Sequence, residues 1–319
     1  MEGTAQPEQI VMCTDGAMVQ LTSGEWREVK TVAFGEFHSR WDARQKKVVT
    51  QTEQISYFSR VATAEAFSRT ALVEWDQRGG EHARTVVAIQ DGAPWIQSLI
   101  DYHCPRAIRV IDFAHAQAYV ATVGRAIHGA DTTAFSQWYA RMSRQLGHQP
   151  PQRTLAELRL LQRQYPDHPE AESIELAIRY LEKRLPMIDY PHFRRRKIPI
   201  GSGIVESGHK VVMQKRMKQA GMRWAEANLN PMLALRMALC NQRWQTSWQE
   251  IQARVCLDKY PKRVGWKPKP ARVSPPVGFS EADCQRLTAL AERLAKRKKQ
   301  PWQSNRWIFP HRGPLLHQN

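Results

Sequence analysis

Ile10-Val11-Met12-Cys13-Thr14-Asp15 and Thr85-Val86-Val87-Ala88-Ile89-Gln90-Asp91 are two apolar runs of strand length, each closed by an aspartate. Short apolar runs rich in β-branched residues read as buried strands. A third run, Arg106 to Ile111, ends in the same way at Asp112. Between the first run and the second, the stretch from about residue 9 to 60 carries further strand signals: Met18-Val19-Gln20-Leu21, the alternation of Val29, Thr31 and Ala33 between Trp26 and Phe37, and Lys47-Val48-Val49-Thr50. Gly16 and Ser23-Gly24 are expected to turn the chain. Connections this short do not allow helical crossovers, so the first strands form an antiparallel meander.

Helical periodicity begins at Thr63. Ala66, Phe67, Ala71, Leu72 and Trp75 fall on one side, and Arg78-Gly79-Gly80 ends the helix. Pro94 precedes a short helix with Trp95, Ile96, Leu99 and Ile100, and another runs from Phe113 to about Ile127. The order βββαβαβα predicts an α/β fold of RNase H-like type, in which antiparallel strands are continued by parallel ones through right-handed crossovers.

From about Asp131 to Tyr190 the pattern is helical throughout and reads as an all-helical insertion. Thr154-Leu155-Ala156-Glu157 fits a capping box, and Ile174, Ile178, Leu181 and Leu185 form a buried stripe. Another helical stretch follows Glu206 as far as Gly221, and Asn230-Pro231 is expected to open the next, through Leu233, Leu235, Met237 and Leu239 to Trp244. Residues 261–278 are basic and proline-rich, hence a linker with phosphate affinity. A short helix with Leu287, Leu290 and Leu294 then ends in Lys296-Arg297-Lys298-Lys299. The expected organisation is therefore a first core part (1–130), a helical insertion (131–194), a core completion (195–260) and a basic tail (261–319).

The chain has 319 residues with 47 Lys and Arg against 30 Asp and Glu, a formal net charge of +17 and a pI near 10.0. Such a protein meets a polyanion, and DNA is the expected partner. Mean hydropathy is −0.56, and no apolar run approaches the roughly 18 residues that span a bilayer, which argues against a membrane partner. The N-terminus lacks the basic start and apolar core of a signal peptide, so the expected location is cytoplasmic, at the nucleoid. Cys13, Cys104, Cys240, Cys256 and Cys284 are odd in number and never in a C-x-x-C pair. They suggest neither a disulfide framework nor a zinc site.

Asp15, Asp91 and Glu206, the last within Gly201-Ser202-Gly203-Ile204-Val205-Glu206-Ser207, read together as a metal-binding triad. Two carboxylates from neighbouring strands and one from a helix across the sheet suit hard ions such as Mg²⁺ or Mn²⁺. Each acid has a plainer reading as a turn-former, a helix cap or a partner of the helix dipole. Gly201 and Gly203 are expected to let the backbone come close to substrate or sheet. Asp112 rivals Asp91, but the strand reached by the first crossover lies beside the first strand, and the next lies one strand farther out. The run Arg194-Arg195-Arg196-Lys197 reads as a phosphate clamp, and Lys210, Lys215, Arg216, Lys218 and Arg223 add positive charge along the helical stretch after Glu206. Trp224 reads either as a platform for an unpaired base or as core, and His115 as a core histidine or a catalytic group.

Seven ordered blocks over about residues 10–245 resemble bacterial insertion-sequence transposases of the ISKra4 type, relatives of the Mutator-like DDE enzymes. They are Asp15-Gly16-Ala17, Trp26 to Lys30, Asp91 to Ile96, Ile111 to Ala116, Gly201 to Ser207, Arg216 to Trp224 and Leu233 to Arg236. The resemblance implies an RNase H-like DDE transposase with Asp15, Asp91 and Glu206 as catalytic metal ligands. It also implies two Mg²⁺ or Mn²⁺ ions, Asp112 and His115 in a supporting D-x-x-H element, and a homo-oligomer assembled on element ends and target DNA. Members of this type carry a substantial region before the first catalytic strand, so this chain is expected to be a fragment or a truncated copy. Two alternatives stay open: an RNase H-like nuclease or resolvase without strand transfer, and a non-catalytic DNA-binding remnant.

Overall fold

The computed structural model describes residues 6–44 and 46–259. The proline-rich stretch 261–278, the leucine pattern 287–294 and the basic run 296–299 lie outside the described residues. Five strands form one mixed sheet in the order β3-β2-β1-β4-β5. They are β1 (Gln9–Gln20), β2 (Trp26–Asp42), β3 (Lys47–Arg60), β4 (Thr85–Gln90) and β5 (Ile108–Ile111). β1 pairs antiparallel with β2 and parallel with β4, β2 antiparallel with β3, and β4 parallel with β5. The antiparallel half and the parallel half thus join at β1, and the strand after the first crossover does lie beside it.

Helices cover both faces. α1 (Ala64–Gln77) and α2 (Pro94–His103) fill the crossovers into β4 and β5, and bury Phe67, Leu72, Trp75, Ile96, Leu99 and Ile100 completely. Phe34 of β2 meets Trp75 at 5.6 Å between ring centroids. On the other face Val11, Cys13, Ala33, Tyr57, Val87 and Ile89 share one apolar cluster with the later helices. These are α3 (Phe113–His128), α4 (Thr133–His148), α5 (Pro151–Gln164), α6 (Ala171–Glu182) and α7 (Tyr190–Arg195). Next come α8 (Gly203–Gly208), a π-helical stretch (His209–Gln214), α9 (Lys215–Met217), α10 (Glu226–Cys240) and α11 (Trp244–Lys259). The chain divides into two compact units, Met1–Gln249 and Glu250–Asn319. Among the described residues no helix is long and apolar enough to cross a membrane.

Several local expectations are corrected. β1 does not stop at Asp15, and Gly16 makes no turn: the ladder to β2 continues to Gln20↔Trp26. The Glu28 side chain lies close to Gly16 on the facing strand. β3 runs on from Thr50 to Arg60, held by β2 through Lys30↔Arg60. Thr154 caps nothing. It is buried inside α5, which starts at Pro151, where a ring-locked φ favours the first helical position, and Glu157 bonds Arg141 and Gln145 of α4 instead. Pro231 lies inside α10, which begins five residues earlier at Glu226. Its missing N–H falls at the second turn, where only one helical bond is lost.

α10 also closes the open side of β3. Asn241 accepts from the Tyr57 N–H at 2.9 Å and donates to the Tyr57 carbonyl at 2.9 Å. Asn230 does the same to Val61, at 2.9 and 3.0 Å, and between them the Ser59 N–H points at Met237 Sδ, 2.9 Å away. Tyr57, Ser59 and Val61 alternate, so these are the backbone groups that face away from β2. Two side-chain amides thereby stand in for a sixth strand, and Arg243 pins the helix end to Glu74 of α1 through two bonds of 2.6 and 3.0 Å. Replacing Asn241 by Ala strands a buried donor and acceptor, so N241A should lower unfolding free energy by about 2–4 kcal/mol. Urea denaturation followed by circular dichroism measures this, and a loss below about 0.5 kcal/mol would refute the edge-sealing role.

Candidate active site

The parallel ladder between β1 and β4 ends at Cys13↔Ile89. Two residues on, Asp15 is still in β1 and shares the parity of Cys13, hence the face that carries α8, while Asp91 follows the last residue of β4. β5 ends one strand farther out, opposite Gln90, and Asp112 follows it. The chain ahead of Glu206 is tied to this rim. The Tyr190 hydroxyl donates to the Ile111 carbonyl at 2.9 Å, the Phe113 N–H to the Ile200 carbonyl at 2.9 Å, and the Ser202 N–H to Asp112 Oδ2 at 2.7 Å. These bonds bring α8, and with it Glu206, over the strand ends.

Asp15 senses the whole group. Burial at the strand end pushes its carboxyl up to about 6, the Gly16 N–H (2.7 Å to Oδ1) pulls it down, Asp91 pushes it up, His115 pulls it down and Glu206 pushes it up. Its side chain is still 40% exposed, so water screens these charges in part. Cys13, buried beneath, is held well above the usual thiol range by burial first and then by Asp112 and Glu206. Charges on residues far apart in the chain thus act on one another at this rim.

Each acid has a local partner. Asp91 Oδ1 accepts from the Ala93 N–H at 2.8 Å, and Glu206 Oε1 accepts from the Ser202 hydroxyl at 3.3 Å. Asp112 is buried with both oxygens engaged, capping α3 through the His115 N–H at 2.8 Å and holding Ser202. His115 lies edge-on to Tyr119 and Tyr180, with centroids 5.3 and 5.9 Å away. As the side chains stand, no group of three or more His, Cys, Asp or Glu among the described residues is set to hold a metal ion. Nor does any Lys or Arg among the described residues form an ion pair with Asp15, Asp91 or Glu206.

Three groups at the site escaped the sequence reading. His209 is buried, its Nδ1 is 3.5 Å from Asp15 Oδ2, and burial, with help from Lys218, lowers its pKa while Glu206 raises it. Its spacing of three from Glu206, which puts both on one helix face, was the available signal. Tyr180 of α6 donates to the Asp91 carbonyl, and Arg184 donates to the Gly92 carbonyl at 3.0 Å while lying 3.9 Å over the Tyr180 ring. Gly92 has φ +85° and no room for a side chain there. The helical insertion therefore braces the Asp91 loop.

Arg194, Arg195, Arg196 and Lys197 are all exposed, with Arg194 5.6 Å over the Phe113 ring. Lys210, Lys215, Arg216, Lys218 and Arg223 are exposed as well. Trp224 is half-buried. Its backbone bonds Gln20 and Thr22, its indole N–H donates to the Met217 carbonyl at 3.1 Å, and Arg216 lies 5.6 Å over its ring. A side chain at Gly201 or Gly203 would enter open space, so no packed neighbour requires glycine there. The close contact is at Gly208, whose Cβ would meet the Tyr57 ring at 2.7 Å.

The raised Asp15 carboxyl gives a direct check. In a carboxyl-carbon NMR titration Asp15 should show a midpoint near 6, which falls toward the ordinary aspartate value in D91N or E206Q and rises in H115Q. A midpoint near 4 that ignores all three substitutions would mean the acids do not share one site. No protein-family model matches the sequence, and no curated protein does.

Proposed function

We propose that the chain is the catalytic part of a DDE transposase of RNase H-like fold, which cuts DNA strands and joins the freed 3′ ends to target DNA as an oligomer assembled on that DNA. One observation carries the reading. In a chain of net charge +17, Asp15 lies within electrostatic reach of Asp91 and Glu206, burial first and then these two acids raise its pKa, and none of the three has a Lys or Arg ion-pair partner among the described residues. Carboxylates kept together without cationic side chains fit hard divalent ions.

The donor chemistry suits two Mg²⁺ or Mn²⁺ ions held by Asp15, Asp91 and Glu206. Bound there, they would supply charge against the phosphodiester oxygens and lower the pKa of the attacking water or hydroxyl. The remaining work falls to the chain itself. His209 steadies the Asp15 carboxylate from below, Tyr180 and Arg184 fix the Asp91 loop, and Asp112 anchors the turn that leads to Glu206. Arg194 to Lys197 and the basic residues after Glu206 hold DNA phosphates, which sets the strand's register at the rim. Proximity of a freed 3′ end to target DNA supplies the orientation that strand joining needs.

Purified protein should nick plasmid DNA only with Mg²⁺ or Mn²⁺ and join pre-cut 3′-hydroxyl ends to target DNA. D15N, D91N and E206Q should each reduce both reactions by about 10³-fold or more, the loss expected from several kcal/mol of charge stabilisation. Cleavage without joining would replace the reading with a nuclease or resolvase. Salt-sensitive DNA binding with no cleavage would leave a non-catalytic remnant.

A further inference from the structure

β2 and β3 outrun the rest of the sheet. β1 pairs with β2 only as far as Glu36, yet the hairpin continues through six cross-strand pairs from Phe37↔Thr52 to Asp42↔Lys47. At ~3.4 Å per residue this is a two-stranded ribbon about 20 Å long. A bulge separates it from the sheet: the register shifts between Phe34 and Glu36, and Gln54 takes φ 50°. Gly35 sits at the bend, where a Cβ would meet Thr52 at 2.5 Å. Bulges bend and twist a hairpin. Among the described residues the Thr50 hydroxyl ties the bent ribbon down, donating to the Lys197 carbonyl at 3.0 Å.

That tie joins the ribbon to the basic run. Past Phe37 the ribbon leaves the core: His38, Ser39, Arg40, Trp41, Arg44, Lys46, Lys47 and Val48 are exposed, Trp41 at 61%. From His38 to Thr52 four basic residues stand against one acid, Asp42. Ser39↔Thr50 and Trp41↔Val48 share a face, so the exposed tryptophan lies on the side that meets Lys197. An exposed indole between two basic stretches on a protruding ribbon suits a polyanion with flat or apolar groups in a groove, and the DNA major groove admits a two-stranded ribbon.

We propose that the outer half of the β2–β3 hairpin is an arm that binds duplex DNA, with Arg40, Arg44, Lys46 and Lys47 on phosphates and Trp41 at the groove. The assignment rests on the DNA reading above and adds a second contact to it. Asp15 pairs with Thr31, eleven residues short of Asp42 on β2, so the arm engages DNA well away from the acids. Its role is grip on the duplex and not chemistry.

The test uses the full chain and a labelled 30-base-pair duplex, with affinity read by fluorescence anisotropy across a salt series. R40A/R44A/K46A/K47A should weaken binding roughly tenfold or more and flatten the slope of log affinity against log salt by about 3–4, while nicking at saturating DNA is kept. A control, R144A/R153A/R163A/K183A, removes equal charge from exposed positions of the insertion and should change far less. Thermal melts confirm that both variants fold. An arm variant no worse than the control overturns the arm and leaves the DNA reading standing. A wild-type chain with no salt-dependent duplex binding sinks both. If W41S alters the mass of the DNA-free protein in light scattering and leaves duplex affinity intact, the arm is a protein interface and the proposal fails.

Discussion

β1 carries two ladders of unequal length, and the candidate site depends on the difference. Its parallel ladder to β4 stops at Cys13, whereas its antiparallel ladder to β2 goes on to Gln20. Asp15 is therefore rigid, because β2 holds its backbone at Thr31, and open, because β4 no longer covers its other side. A carboxylate on a loop would lack the first property. The notch left by β4 is also where the Asp91 turn finds room, so one mismatch in strand length creates the place where Asp15 feels the charges of Asp91 and Glu206.

The surroundings of that notch hold charge without cancelling it. Backbone N–H groups, a serine hydroxyl and a neutral-leaning histidine contact the acids, and the lysines and arginines stand farther out on α7, the π-helical stretch, α9 and the hairpin. Asp112 differs from the other acids in being spent entirely on local structure, capping one helix and holding the entry to another. The helical insertion reaches the same notch from above through Tyr180, whose ring stacks on Tyr119 at 3.8 Å. Its packing on α3 makes it part of one continuous core.

What the sequence made legible were elements whose pattern is local. β-branched apolar runs marked the central strands, and amphipathic spacing marked α1, α2 and α6. The outer part of β2, from His38 to Asp42, was hidden because a ribbon exposed on both sides has no apolar period to read, whereas Lys47-Val48-Val49-Thr50 did mark the outer part of β3. Thr154 and Pro231 misled because each motif was judged alone: Pro150-Pro151 starts α5 earlier, and Asn230 is aimed at Val61, so α10 begins ahead of the proline. At the site, Asp15, Asp91 and Glu206 were readable as candidates. Tyr180 and Arg184 were not, because their contacts cross 89 residues or more and leave no trace in spacing, and His209 showed only as a residue three places after Glu206.

The π-helical stretch from His209 to Gln214 has a consequence for how acid and base are arranged. Each wide turn takes up one more residue than an α-turn, and a single residue corresponds to about 100° of rotation about the helix axis. Glu206 sits before it, His209 opens it, and Lys215, Arg216 and Lys218 lie beyond it. The unwound turn thus acts as a phase-setter: it rotates the cationic side chains relative to the carboxylate that precedes them. Tightening it by one residue would swing that cluster a quarter-turn and more around the axis while leaving every acid in place.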